Sequence, residues 1–66
     1  LEAERARLIK ERSRAQQDAD KLGRKLDNPD FVRRAPPEVV EETRVRLNAV
    51  QQELARLDAA LRRVEA

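Results

Sequence analysis

Residues 36–64 read PPEVVEETRVRLNAVQQELARLDAALRRV. Within this stretch Val40, Thr43, Leu47, Val50, Leu54, Leu57, Leu61 and Val64 alternate in steps of three and four. On a helix of about 3.6 residues per turn that spacing makes one continuous apolar stripe, the seam of a coiled coil held over about four heptads. The prolines set its start. A residue before proline avoids the α region, so Ala35 and Pro36 are expected to be extended. Pro37 then suits the first helical position, where no N–H is needed. Glu38 and Glu41 sit near this end, where the helix dipole favours negative charge. The second helix is placed at about 37–65.

A seam needs a partner, and the first half of the chain supplies one. Leu1, Leu8, Ala15 and Leu22 fall seven apart, with Arg5, Arg12, Ala19 and Leu26 as the complementary set. Gly23 costs about 1 kcal/mol relative to alanine inside a helix, but Leu26 continues the seam beyond it. The first helix is placed at about 1–27. In an antiparallel pair each a position shares a layer with a d position. Pairing Leu26 with Thr43, Leu22 with Leu47, Ala19 with Val50 and Ala15 with Leu54 achieves this. Arg12 with Leu57, Leu8 with Leu61 and Arg5 with Val64 continue the same register. Small alanines then face large side chains, which favours close interdigitation. The stems of Arg5 and Arg12 are expected to pack while their guanidiniums reach water, and Asp18 is expected to pair with Arg46 across one flank.

Residues 28–36 form the tip. Asn28-Pro29 reads as an N-cap followed by proline at the first helical position, so one short helical turn is expected at 29–33. Phe31, the only aromatic residue, is expected to plug the tip against Leu26 and Val40. The fold class is therefore all-α: two long helices in an antiparallel coiled-coil hairpin, with a short helical turn at the tip. The opening at Leu1, mid-pattern and without methionine, reads as an arm excised from a larger protein.

Composition limits the chemistry. The 66 residues are 42% charged and hold no histidine and no cysteine. The usual general base near neutral pH is missing. Thiolate metal sites and disulfides are excluded. Ser13 and Thr43 have no base beside them to activate a hydroxyl, and Gly23 alone cannot build a phosphate-cradling loop. No catalytic site, metal site or cofactor is expected in the chain. No apolar run approaches the roughly 20 residues that span a bilayer, and the cysteine-free composition fits a cytoplasmic protein.

Charge distribution points to binding instead. Residues 1–28 hold eight Lys/Arg against six Asp/Glu, while residues 37–66 hold five against six. The outward positions of the first helix read Ala3, Arg7, Lys10, Arg14, Gln17, Lys21 and Arg24. Five of these seven are basic and none is acidic, a row suited to phosphates. A solvated face kept for solubility has the same look. Arg33 and Arg34 at the tip, with Arg44 nearby, form a second basic group. Val45, Ala49, Gln52 and Ala59 leave the outer face of the second helix uncharged, suited to lying on another surface such as an exposed base pair, or present only because alanine favours helix. The oligomeric state is left open: a monomer, or hairpins associating through Ile9, Val39 and Val45.

The tip carries a motif. Residues 26–40 follow L-x-N-x-x-F-V-x-x-A-P-x-x-V-V, with Asn28, Pro29, Phe31, Ala35, Pro36 and Val40 shaping it. This closely resembles the carboxy-terminal arm of the valyl-tRNA synthetase family, which also flanks its tip with two heptad helices. Arg5 and Arg12 depart from that family, which usually continues with leucine. The resemblance implies an arm that rests on the outer corner of tRNA, where the D and T loops meet. A distant catalytic domain of the parent would use ATP to charge tRNA with valine, and the parent's body would be the second partner. Arg7, Lys10, Arg14, Lys21, Arg24, Arg33, Arg34 and Arg44 then become candidate contacts to the RNA backbone. Two alternatives remain at this point. One is the coiled-coil arm of ribosome-associated ABC-type ATPases, which Asp30-Phe31 partly resembles. The other is a structural or protein-binding hairpin without nucleic acid.

Overall fold

A computed structural model describes residues 2–65. Leu1, the first expected seam position, lies outside the described residues. Three helices follow in order: α1 over Glu2–Asp27, α2 over Pro29–Arg34 and α3 over Pro37–Glu65. α1 and α3 pack against each other along their lengths, and α2 closes the end between them. The backbone forms a rod 47 Å long and 14 by 13 Å across.

Each junction has a local cause. Asn28 is extended (φ −83°, ψ 111°) and its side chain accepts a hydrogen bond from the Asp30 N–H at 3.0 Å. That satisfies one of the donors left free at a helix start. Ala35 is extended ahead of Pro36, and its N–H donates to the Phe31 carbonyl at 2.9 Å. The Pro36 carbonyl accepts from the N–H groups of Val39 and Val40 and so starts α3. The tip turn is one residue longer than the sequence indicated, ending at Arg34. Phe31 is partly buried, and Val40 is buried.

The expected register holds at the base of the arm. Leu8, Leu57 and Leu61 form one buried cluster, with Ala15, Ala60 and Val64 packed against it. Ala19 is buried mid-arm, and Val40 and Thr43 are buried near the tip. The Thr43 hydroxyl donates to the Val39 carbonyl at 2.8 Å, so this seam hydroxyl is satisfied within its own helix turn,.

Two expectations about charge need correction. Arg46 does not pair with Asp18: its Nη2 lies 2.9 Å from Glu42 Oε1, one turn earlier in the same helix. An i,i+4 partner is reached without bridging the gap between helices. Arg5 and Arg12 do more than reach water. Arg12 Nε is bonded to Asp58, and Arg5 Nη2 lies 3.3 Å from Glu65 Oε2. Their stems stay in the seam while their heads cross to acids on the adjoining flank of α3, which ties the two helices together where leucine would otherwise pack.

Gly23 continues α1 without a positive φ, and a Cβ built there meets nothing within 4 Å. Replacing it removes the entropic cost of glycine and adds no clash. Gly23→Ala is expected to stabilise the hairpin by about 1 kcal/mol. That corresponds to a rise of about 4–8 °C in Tm for a domain of this size. Thermal melting followed by circular dichroism checks it, and a fall in Tm would show that the residue meets a constraint in its surroundings.

Candidate nucleic-acid interface

α1 runs unbroken for 26 residues, so side chains seven apart stand almost in line, about 10 Å from one to the next. Arg7, Arg14 and Lys21 make one such line. Lys10 and Arg24 make a second, roughly 60° around the helix. All five are exposed. Arg7 is engaged with Glu11 at 3.4 Å. Among the described residues Lys10, Arg14, Lys21 and Arg24 have no ion-pair partner, so their charge faces outward.

The tip residues are distributed differently. Arg33 lies 3.8 Å from Asp30, across one turn of α2, and Arg34 is exposed without an ion-pair partner among the described residues. Arg44 is likewise exposed. It is two residues from Arg46, and two helical steps rotate a side chain by about 200°. It therefore points away from the flank that Arg46 shares with Lys21 and Lys25. The structure brings Arg7, Lys10, Arg14, Lys21 and Arg24 onto one face and leaves Arg44 on another.

The sequence places Asp18 and Arg46 on this flank, but its group of cations emerges only in the structure. Lys25 and Arg46 stand beside Lys21 around a gap between α1 and α3. Lys25 falls outside the outward row, and Arg46 had been given to Asp18. Both occupy heptad positions that adjoin the partner helix in an antiparallel pair, and that placement was available from the register. On the uncharged face of α3, Val45, Ala49 and Gln52 are exposed, whereas Ala59 is partly buried.

A family model described as the valyl tRNA synthetase tRNA binding arm matches residues 1–65. The chain belongs to this family. The arm is similar to part of the valine–tRNA ligase of Granulibacter bethesdensis, 58% identical over 64 residues, and to that of Gluconobacter oxydans at the same identity. It is 47% identical over 65 residues to the valine–tRNA ligase of Thermotoga maritima. These alignments cover 97–98% of the arm but only 7–8% of the length of each relative. No solved structure matches the arm. The match sets aside the ABC-type ATPase arm, and by its description this is an arm domain and not a catalytic one. No described helix is long and apolar enough to cross a membrane.

Proposed function

We propose that this chain is the arm with which a cytoplasmic valine–tRNA ligase holds the outer corner of its tRNA. α1 lays its basic face along the sugar–phosphate backbone near the junction of the D and T loops. The carrying observation is the one-sided row on α1, in which four of five cations have no ion-pair partner among the described residues. Uncompensated cations along one face release condensed counterions when they meet phosphates, which favours association without reading sequence. The 47 Å rod suits a spacer that reaches from an enzyme body to a distant part of its substrate. The arm takes no cofactor in this reading. ATP and valine are handled by the remainder of the ligase, to which the base of the hairpin is joined.

The test is fluorescence anisotropy of the chain with folded tRNA and with a plain RNA hairpin, across a salt series. Tighter binding to folded tRNA is expected. Log Kd should change with log salt by about 3–4, as four or five phosphate contacts require. Equal affinity for the two RNAs would remove the corner-holding role, and binding indifferent to salt would remove the basic row as its cause.

A further inference from the structure

Between α1 and α3, on the flank nearer the tip, lies an open cleft of about 480 Å³. That is within the range of small-ligand sites, on the order of 300–1,000 Å³. Its floor is apolar, made by Leu22, Val50 and the methyl of Ala49, and its rim carries Lys21, Lys25 and Arg46. The cleft exists because the seam is thin here. Leu22, Leu47 and Val50 are only partly buried, whereas Leu8, Leu57 and Leu61 at the base are closed over. The neighbouring layers are built on Ala15 and Ala19, and at position 49 alanine provides nothing long enough to fold across the gap. A smaller cavity of about 140 Å³ continues the cleft toward Phe31 and Thr43, sharing Leu22, Lys25 and Arg46.

We infer that this cleft receives one unpaired nucleobase of the bound RNA. The inference rests on the RNA-holding role proposed above and adds what that role lacks, a place where a base and not a phosphate is held. Three observations converge on a nucleotide. The floor is apolar, which suits a base face and not a phosphate. The rim is cationic on α1, where Lys21 and Lys25 have no ion-pair partner among the described residues and can meet a phosphate beside an inserted base, while on α3 Arg46 is shared with Glu42. Lys21 belongs to both features: it ends the Arg7–Arg14–Lys21 line and borders the cleft, so a backbone following that line arrives at its mouth. Arg46, in its pair with Glu42 at 2.9 Å, lies on the rim, where its guanidinium plane can cap a base. Asp18, also on the rim, repels phosphate but accepts a hydrogen bond from an exocyclic amino group. This favours guanine, adenine or cytosine over uracil, which has no exocyclic amino group. The arm therefore discriminates looped from paired RNA: a base inside a duplex is stacked and cannot enter.

The test uses the full ligase that carries the arm and two RNA probes. One is a hairpin with an all-adenosine loop. The other is the same hairpin with abasic nucleotides in the loop, which keeps every phosphate and removes the bases. The unmodified protein is expected to bind the adenosine loop about five- to tenfold more tightly, the low end of what one stacked base contributes, since the floor is aliphatic. Ala49→Gln lays a longer neutral side chain over the cleft and should bring that ratio close to one. Ala55→Gln, at an exposed position outside the cleft, should leave the ratio unchanged. Phosphate contacts made elsewhere by the ligase are common to both probes and cancel in the ratio. Base contacts made elsewhere are common to the unmodified protein and Ala49→Gln, so the fall in the ratio between those two proteins reports the cleft. If Ala49→Gln keeps the full ratio, or if the unmodified protein binds both loops equally but with salt dependence, the base cleft is wrong and the backbone-holding role stands. If neither loop shows salt-dependent binding, both fall.

Discussion

Leu57→Ala is expected to remove about half or more of the isolated arm's stability. The reason lies in how little the hairpin buries. Among the described residues the buried apolar side chains are Leu8, Ala19, Val40, Leu57 and Leu61, and only the three leucines form a connected cluster. Leu57 retains 6% of its exposure. Truncating a leucine in such a site costs about 2–5 kcal/mol, from lost transfer energy and from the cavity left behind. A two-helix rod relaxes into the gap more easily than a globule, so the low end, about 2–3 kcal/mol, applies. Alanine's slightly better helix propensity returns only a few tenths. Domains of this size hold roughly 3–5 kcal/mol in all, so one substitution removes about half of it or more. Helicity by circular dichroism should show Tm falling by about 10–20 °C. Leu47→Ala, at a seam position that is only partly buried, should cost clearly less. Equal losses at the two positions would mean that the base cluster is not where the arm's stability resides.

The same contrast explains what could be read before the structure. The hairpin, its register and its tip were legible because each rests on local rules. Steps of three and four fix which side chains face the partner helix. Asn28-Pro29 and Pro36-Pro37 fix where helices begin. The direction of a helical stripe is also periodic, so the basic row on α1 could be written down from residue numbers alone. What could not be read is how completely each layer closes. Leu22 and Leu61 are both seam leucines, yet one borders an open cleft and the other is buried. The difference depends on the bulk of several neighbours at once, including Ala19 and Ala49, and on how near the backbones come. Charge partners were illegible for a related reason. A long arginine reaches several acids, and its choice follows from small differences in position. Arg46 stays with Glu42 on its own helix, whereas Arg12 crosses to Asp58. Arg12 crosses because its place in the seam aims its stem at α3.

Reversing the outward charge of α1, by Arg14→Glu, Lys21→Glu and Arg24→Glu together, is expected to weaken tRNA binding roughly 100-fold. Three phosphate contacts at about 1 kcal/mol each amount to about two powers of ten, at about 1.4 kcal/mol per tenfold. The dependence of log Kd on log salt should fall by about 2–3, since each lost contact releases fewer counterions. The fold should survive. All three residues are exposed and without ion-pair partners among the described residues. The new glutamates stand three or four residues from Glu11, Asp18, Asp20, Asp27 and one another. These six like-charge pairs cost a few tenths of a kcal/mol each and are partly offset by new pairs with Lys10 and Lys25,, so helicity is read beside binding. Arg62→Glu with Arg63→Glu is the control, changing exposed charge at the base of α3. If binding depended only on net charge, the control would lose two-thirds as much affinity in logarithmic terms, because it reverses two charges instead of three. A loss confined to the α1 variant, with helicity intact, assigns the contact to that face, because only there do the cations share one line along the rod.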